Sequence, residues 1–443
     1  MFYAQQPLAA HMRYVDVMLV RFEVTNFRSV SDTVELSMVA VDRDREAARD
    51  VPSIGESVLT RAAIYGPNAS GKSNVLAALV WLVDAVRDSL RMWEDDVPIE
   101  PFAFAAGQGK PTEFTIDFVV DGVRFEYTLE VDSTEVLREE LRHYPQKKAR
   151  KIFERNGADV TMNRALGSAS PFLELLTPTT LLLSLARRFG LPEAAAFADA
   201  LIATTAFGHL PSRNTRYGSL RFDLRRAPRS TIKLFESAHA GQGSLFEDDL
   251  VGERDRALAL LRLADLGVND VLIDREEPEA RPGDRPPPSR LRARLVHSTL
   301  AGDAALDLHQ ESEGTRTWFA LIGPVIESLR LGSPIVFDEL DASLHPVLSA
   351  ELLRVFQDKS TNPNGAQLIF TSHDTSLLNH LNRDEVWLTQ KRSDGSTELG
   401  ALAEFAGERV RKSVNIESAY LHGRYGALPD IDPAELRTLG LIG

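Results

Sequence analysis

The chain has 443 residues, 43% of them apolar, which is enough for a sizeable core and argues against global disorder. Its formal charge of −14 opposes a general nucleic-acid binder, which needs clustered Lys and Arg for phosphate contacts, and leaves only a local basic patch open. It has no cysteine, hence no disulfide, thiol nucleophile or zinc–thiolate site, and no apolar run approaches the ~20 residues that span a bilayer.

The opening MFYAQQPLAAHMRYVDVMLV lacks a signal-peptide layout, because polar and charged residues interrupt the apolar ones. With no spanning run either, the protein reads as soluble and cytoplasmic; Met18 is a natural start for the fold, so residues 1–17 read as an N-terminal extension or a mis-assigned start. VRFEVTNF (20–27) and TVELSMV (33–39) read as strands, and AAIYG (62–66) as a short apolar strand entering a Gly-rich turn. SNVLAALVWLVDAV (73–86) carries apolar residues at helical spacing. Alternation on both sides of Asp121-Gly122 predicts a hairpin over 113–131, followed by strands at 136–144 and 151–157.

Roughly 165–272 is dominated by helical patterns such as TTLLLSLARRFG and RALALLRLADLG. REEPEARPGDRPPPSR (275–290) is charged and proline-rich with almost nothing to bury, and reads as a flexible connection. Strand–helix alternation then returns, with strands at 291–298, 334–339, 367–373 and 385–391 and helices at 316–332 and 346–358. The two ends therefore predict an α/β fold into which the middle is inserted, and no heptad run supports a long coiled-coil arm.

GPNASGKS (66–73) matches the phosphate-loop pattern G-x-x-x-x-G-K-[ST], with a strand before it and a helix after it. Such a loop, from Gly66 through Asn68 and Gly71 to Asn74, turns successive backbone N–H groups on a phosphate, helped by the helix dipole. Lys72 is expected to reach the β- and γ-phosphates and Ser73 to ligate Mg²⁺. PIVFDE (334–339) puts Asp338 at the carboxyl end of a buried strand, where such sheets place ligands. Asp338 suits a Mg²⁺ role, and Glu339 suits a general base for an attacking water. Taken alone, an acid pair in this position also describes an ordinary strand end. His373 closes the next apolar strand, where it can sense a γ-phosphate and orient water. With no N-K-x-D stretch to read guanine, the nucleotide expected is ATP.

These motifs resemble an ABC-type ATPase head, and more closely the bacterial AAA/ABC ATP-binding proteins of abortive infection and anti-phage defence, related to the ATPase part of OLD proteins. The resemblance runs from Met18 to about Asp430 through NFRSV, GPNASGKSN, ESEGTRTWFAL, DELDASLHP, TSHD and YLHGRYGALP. It implies an α/β ABC/SMC-type P-loop ATPase head with an antiparallel β lobe. In that layout 18–160 form the first part of the head, 161–274 a helical insert, 275–290 the linker and 291–443 the rest of the head. It also implies a homodimer or higher homo-oligomer that sandwiches ATP between one subunit's phosphate loop and the other's signature loop. Ser312 and Gly314 would fill the signature role, Asp341 the loop coupling the two sites, and Arg28 and Ser29 a nucleotide-touching start. ESEGT replaces the transporters' L-S-G-G-Q, as it does in the family. Its residues equally describe a helix with Ser312 as N-cap and Glu313 in the first turn. The glutamine that watches the γ-phosphate has no firm counterpart between Trp93 and Glu113, where Gln108 is the candidate.

The stretch after His373 is too short for the nuclease domain that OLD proteins append, so the resemblance implies a sensor or scaffold. Its partners would be a separate nuclease- or toxin-like effector and a phage-derived trigger. The alternative is a RecF-like DNA-repair ATPase. The Arg-rich run 212–233, interleaved with Tyr217 and Phe222, gives it support, although a solvated loop explains such a run as well.

Overall fold

The chain is described from a computed structural model over residues 17–104, 106–163, 173–208, 229–236, 247–264, 267–276, 290–300, 302–404 and 415–425. Val17–Thr25 (β1) and Val34–Ser37 (β2) are followed by a small hairpin, Ala48–Val51 (β3) and Glu56–Leu59 (β4). Arg61–Tyr65 (β5) then leads through the phosphate loop into Lys72–Met92 (α1). Five strands come next: Thr112–Val120 (β6), Val123–Val131 (β7), Val136–His143 (β8), Arg150–Asn156 (β9) and Asp159–Met162 (β10). They join β1 and β2 in an antiparallel lobe of order β10-β9-β8-β7-β6-β1-β2. The predicted hairpin is there: Val120 pairs with Val123, and Asp121 and Gly122 both take positive φ, as a two-residue turn matched to strand twist requires.

The middle of the chain carries Leu182–Arg188 (α2), Pro192–Ile202 (α3), Thr205–Phe207 (β11), Arg229–Glu236 (α4), Glu247–Ala264 (α5) and Val268–Glu276 (β12). The helical expectation for 165–272 is thus corrected at two places. Thr205–Phe207 is only three residues long and gains its ladder by lying parallel to a core strand, which no local pattern announces. Val268–Glu276 pairs with Arg290–Thr299 (β13), and a bulge at Val268/Asp270 breaks the alternation that would have marked a strand. Residues 275, 276 and 290 of the expected flexible connection are paired in this ladder, and 277–289 lie outside the described residues. Val17 belongs to β1, whereas residues 1–16 lie outside the described residues, as do 212–228 of the Arg-rich run.

The last part brings Gly302–Asp307 (β14), Glu313–Leu331 (α6), Pro334–Phe337 (β15), Leu340–Ser343 (α7), Pro346–Gln357 (α8), Gln367–Thr371 (β16), Val386–Lys391 (β17), Thr397–Ala401 (β18) and Ile416–Leu421 (α9). The core sheet runs β11-β15-β16-β5-β17-β18, parallel except for β18. Its strands are buried on both faces, which explains their continuous apolar runs. Side chains alternate between two cores. Ala62, Ile64, Val336 and Ile369 meet α1 and the β lobe. Ala63, Tyr65, Phe337, Leu368 and Phe370 meet α5, α6 and α8. The lobe is tied to this sheet by buried Gln367, whose Oε1 accepts from Leu19 N at 2.6 Å and whose Nε2 donates to Leu19 O at 2.8 Å and Leu59 O at 3.0 Å.

A buried ion pair anchors the strand that feeds the phosphate loop. Arg61 donates from Nε and Nη2 to Glu385 Oε1 at 3.1 and 2.9 Å, and from Nη1 to Gln357 Oε1 at 3.0 Å. Arg61→Met would leave Glu385 with one cation among the described residues, Arg45 at 3.4 Å. We expect that substitution to cost about 3–5 kcal/mol, read from urea unfolding.

Candidate nucleotide site

Three loops leave the carboxyl ends of neighbouring strands: the phosphate loop after β5, the acid pair after β15 and the His373 turn after β16. This is the edge at which open α/β sheets bind ligands. The phosphate loop is held from behind. Gly66 has φ +153° and a Cβ there would sit 2.3 Å from Thr389 Oγ1; at Gly71, with φ +104°, it would sit 2.0 Å from Thr397 Oγ1. These two positions therefore demand glycine because β17 and β18 pack against the loop. Ser70 Oγ shares a hydrogen bond with Thr389 Oγ1 at 2.6 Å, and Thr397 Oγ1 donates to Ser70 O at 2.9 Å. Asn68 lies exposed on the crest.

Lys72 is buried and folds back over its own loop, donating to the carbonyls of Gly66 at 3.0 Å and Pro67 at 3.2 Å. Burial lowers the pKa of its ammonium, and the nearby carboxylates of Asp338, Glu339 and Asp341 oppose that shift. The structure thus brings the predicted lysine and the three predicted acids together.

The acids are placed by the sheet. Asp338 is 1% exposed; its N–H donates to Phe207 O at 3.0 Å and its Oδ1 accepts from Thr371 Oγ1 at 2.7 Å. Its Oδ2 is buried with no hydrogen-bond partner among the described residues. A buried carboxylate oxygen left bare is costly, and a hydrated divalent cation or a lysine would satisfy it. Glu339 has φ 56°, a left-handed conformation unfavourable for this residue type. Its N–H donates to the same Thr371 Oγ1 at 2.7 Å. Thr371 therefore bridges both acids, fixing one carboxylate and the backbone of the next. Asp341 Oδ1 accepts from His373 N at 3.0 Å, joining the acid loop to the histidine turn.

Other expected residues fall into two groups. Ser29 reaches the loop, bonded to Asn74 Nδ2 and Thr397 Oγ1, both at 2.7 Å, so Asn74 has a scaffolding contact. Arg28 instead pairs with Glu100 at 3.0 Å. Gln108 is exposed on a turn whose Gly107 and Lys110 carbonyls are held by Asn26 Nδ2. Ser312 caps α6, its Oγ accepting from Thr315 N at 3.1 Å, with Glu313 in the first turn and Gly314 exposed. Among the described residues no hydrogen bond ties Ser312 or Gly314 to the phosphate loop. Their helix packs in the core on the other face of the sheet from α1. Glu311 is half of a contact with His297 Nε2 at 2.8 Å, which fixes the entry to α6 on β13.

Sequence reasoning missed Thr371, Thr389, Thr397 and Gly208. A Cβ on Gly208 would lie 2.0 Å from Asp338 O, so the short strand β11 clamps the acid pair from the sheet edge. Thr371 lies within TSHD but shows no role until β15 is its neighbour, Thr389 and Thr397 carry no motif, and Gly208 gains meaning only once β11 is known to lie beside β15.

A family model described as "AAA domain, putative AbiEii toxin, Type IV TA system" matches residues 61–179 and 189–379, well over half the chain. The chain belongs to this AAA domain family. Its fold is α/β, a mostly parallel core sheet that carries the phosphate loop, with an antiparallel lobe beside it. No curated protein matches the sequence. Solved structures similar to this AAA domain include a SmcHead bound to the C-winged helix domain of ScpA, at 12% identity and TM-score 0.43, covering 91% of this chain and 99% of that one. They also include the SMC head domain from Thermotoga maritima, at 12% and 0.36, covering 86% and 98%. A third is a Smc head domain with an extended coiled coil bound to the C-terminal domain of ScpA derived from Pyrococcus furiosus, at 13% and 0.41, covering 88% and 97%. At these scores no residue is carried across from them. Among the described residues no helix is long and apolar enough to cross a membrane.

Thr371→Val would strip the hydroxyl from both Asp338 Oδ1 and Glu339 N. We expect a loss of about 1–3 kcal/mol in urea unfolding, with Thr371→Ser close to the parent.

Proposed function

We propose that this chain binds and hydrolyses ATP with Mg²⁺. The observation carrying the reading is buried Lys72 set among Asp338, Glu339 and Asp341, with Asp338 Oδ2 bare beside a complete phosphate loop. Gly66, Asn68, Gly71, Lys72, Ser73 and Asn74 frame the phosphates, Ser73 and Asp338 hold the metal, and Ser29 lines the same loop. Arg28 joins them if its pair with Glu100 opens on binding. When bound, Mg²⁺ offsets phosphate charge as it builds up. Glu339 accepts the proton of the attacking water, and His373, held through its backbone by Asp341, orients that water at the γ-phosphate.

The second half of the site comes from another copy of the chain. Ser312 and Gly314 sit exposed at the N-terminus of a long helix, with no hydrogen bond to their own phosphate loop among the described residues, as donors for a partner's γ-phosphate would. Two chains would then close on two ATP molecules, and hydrolysis would reopen them. Membership of a family described with a putative toxin and a Type IV TA system supports a sensor or scaffold role in anti-phage abortive infection, acting in the cytoplasm on a separate toxin- or nuclease-like effector.

Phosphate release from the parent chain, Lys72→Ala and Glu339→Gln tests the enzymatic part. Lys72→Ala should abolish ATP binding and turnover. Glu339→Gln should bind ATP and turn over ~10²–10⁴-fold more slowly. Near-parental turnover in Glu339→Gln would remove Glu339 from the base role, and strong stimulation by DNA would favour direct nucleic-acid binding over a separate effector.

A further inference from the structure

The motif YLHGRYG is specific in sequence, and no part of the ATP site described above uses it. Its first two residues, Tyr420 and Leu421, end the helix α9, which Asn415 caps, and His422–Tyr425 turn beyond it; α9 docks on the turn Thr375–His380, which follows His373 and Asp374. Glu417 accepts from Thr375 Oγ1 at 3.2 Å through Oε1 and from Asn379 Nδ2 at 2.6 Å through Oε2. Asn415 Nδ2 donates to Asn379 Oδ1 at 3.0 Å. Tyr420 lies edge-on to Tyr65 with ring centroids 6.0 Å apart, and the Tyr65 hydroxyl donates to Asp374 O at 3.0 Å. Past the helix, Tyr425 O accepts from Gln390 Nε2 at 3.1 Å, on the strand whose Thr389 backs Gly66. One short segment therefore grips the residues on the C-terminal side of His373, while Asp341 grips His373 itself.

We propose that Asn415–Tyr425 is the positioning element of the histidine turn, with Glu417 as the residue that locks it. The proposal rests on the ATP reading for its effect on rate. The packing of α9 is separable from the lock. Ala419, Tyr420 and Tyr425 are the residues it buries in the core, whereas Glu417 is only partly covered and faces the turn. Removing its carboxylate should therefore release the turn and leave the helix in place. Glutamine can keep both contacts, because its carbonyl accepts from Asn379 and the Thr375 hydroxyl can reverse its role.

The test compares parent, Glu417→Ala and Glu417→Gln by thermal unfolding, by affinity for a non-hydrolysable fluorescent ATP analogue, by kcat and KM, and by the imidazole NMR signal of His373 in histidine-labelled protein, assigned with His373→Ala. In Glu417→Ala the His373 signal should shift and broaden and kcat should fall about tenfold, with KM, analogue affinity and melting temperature near parental. Glu417→Gln should restore both signal and rate. An unchanged His373 signal in Glu417→Ala would overturn the proposal, as would a rate loss that tracks lost melting temperature and is not rescued by glutamine. A displaced His373 signal in Glu417→Ala, together with a parent chain that turns over no ATP, would uphold the positioning role and refute the hydrolytic reading instead.

Discussion

A buried ammonium and a buried carboxylate, Lys72 and Asp338, at one edge of a parallel sheet are the constraint on which the rest of this molecule depends. Lys72 and Asp338 come from segments far apart in sequence, and both lie out of water. Both positions depend on strands β5, β15 and β16 being held side by side in one register. The ammonium is satisfied by the Gly66 and Pro67 carbonyls of its own loop, and one Asp338 oxygen by Thr371, which reaches it because β16 lies beside β15. The Arg61–Glu385 pair, the Gln367 tie to the lobe and the β11 clamp on Asp338 all secure that edge. Core packing on the two faces supplies the sheet; these polar ties set where its loops emerge.

Much of the site was legible in the sequence because its chemistry is local. A phosphate loop needs its glycines, lysine and serine within eight residues, and an acid pair at the end of a buried strand needs only that strand. The Asp-Gly hairpin was legible for the same reason, since its turn type demands positive φ at two adjacent residues. The long helices α1 and α6 showed through their apolar period, with Ser312 and Gly332 marking the ends of α6.

What stayed hidden depends on neighbours distant in the chain. The strand Thr205–Phe207 exists because β15 offers it a ladder, and β12 because β13 does. Thr371 gains its bridging role only when β16 lies beside β15, and Thr389 and Thr397 theirs only when β17 and β18 back the phosphate loop. Glu311 shows no role in the sequence, and only the neighbouring strand β13 gives it one, a contact with His297. The octapeptide ESEGTRTW still has the build of a capped helix, and its proposed second role depends on a surface that belongs to another molecule.

That dependence makes assembly the most direct measure of the account. Sedimentation of Glu339→Gln, with and without Mg²⁺ and ATP, should show a monomer becoming a dimer or larger species only when nucleotide is present. Adding Ser312→Arg to the same chain should abolish the shift while leaving ATP binding intact. Assembly that ignores nucleotide, or that survives Ser312→Arg unchanged, would contradict a site completed by a second copy.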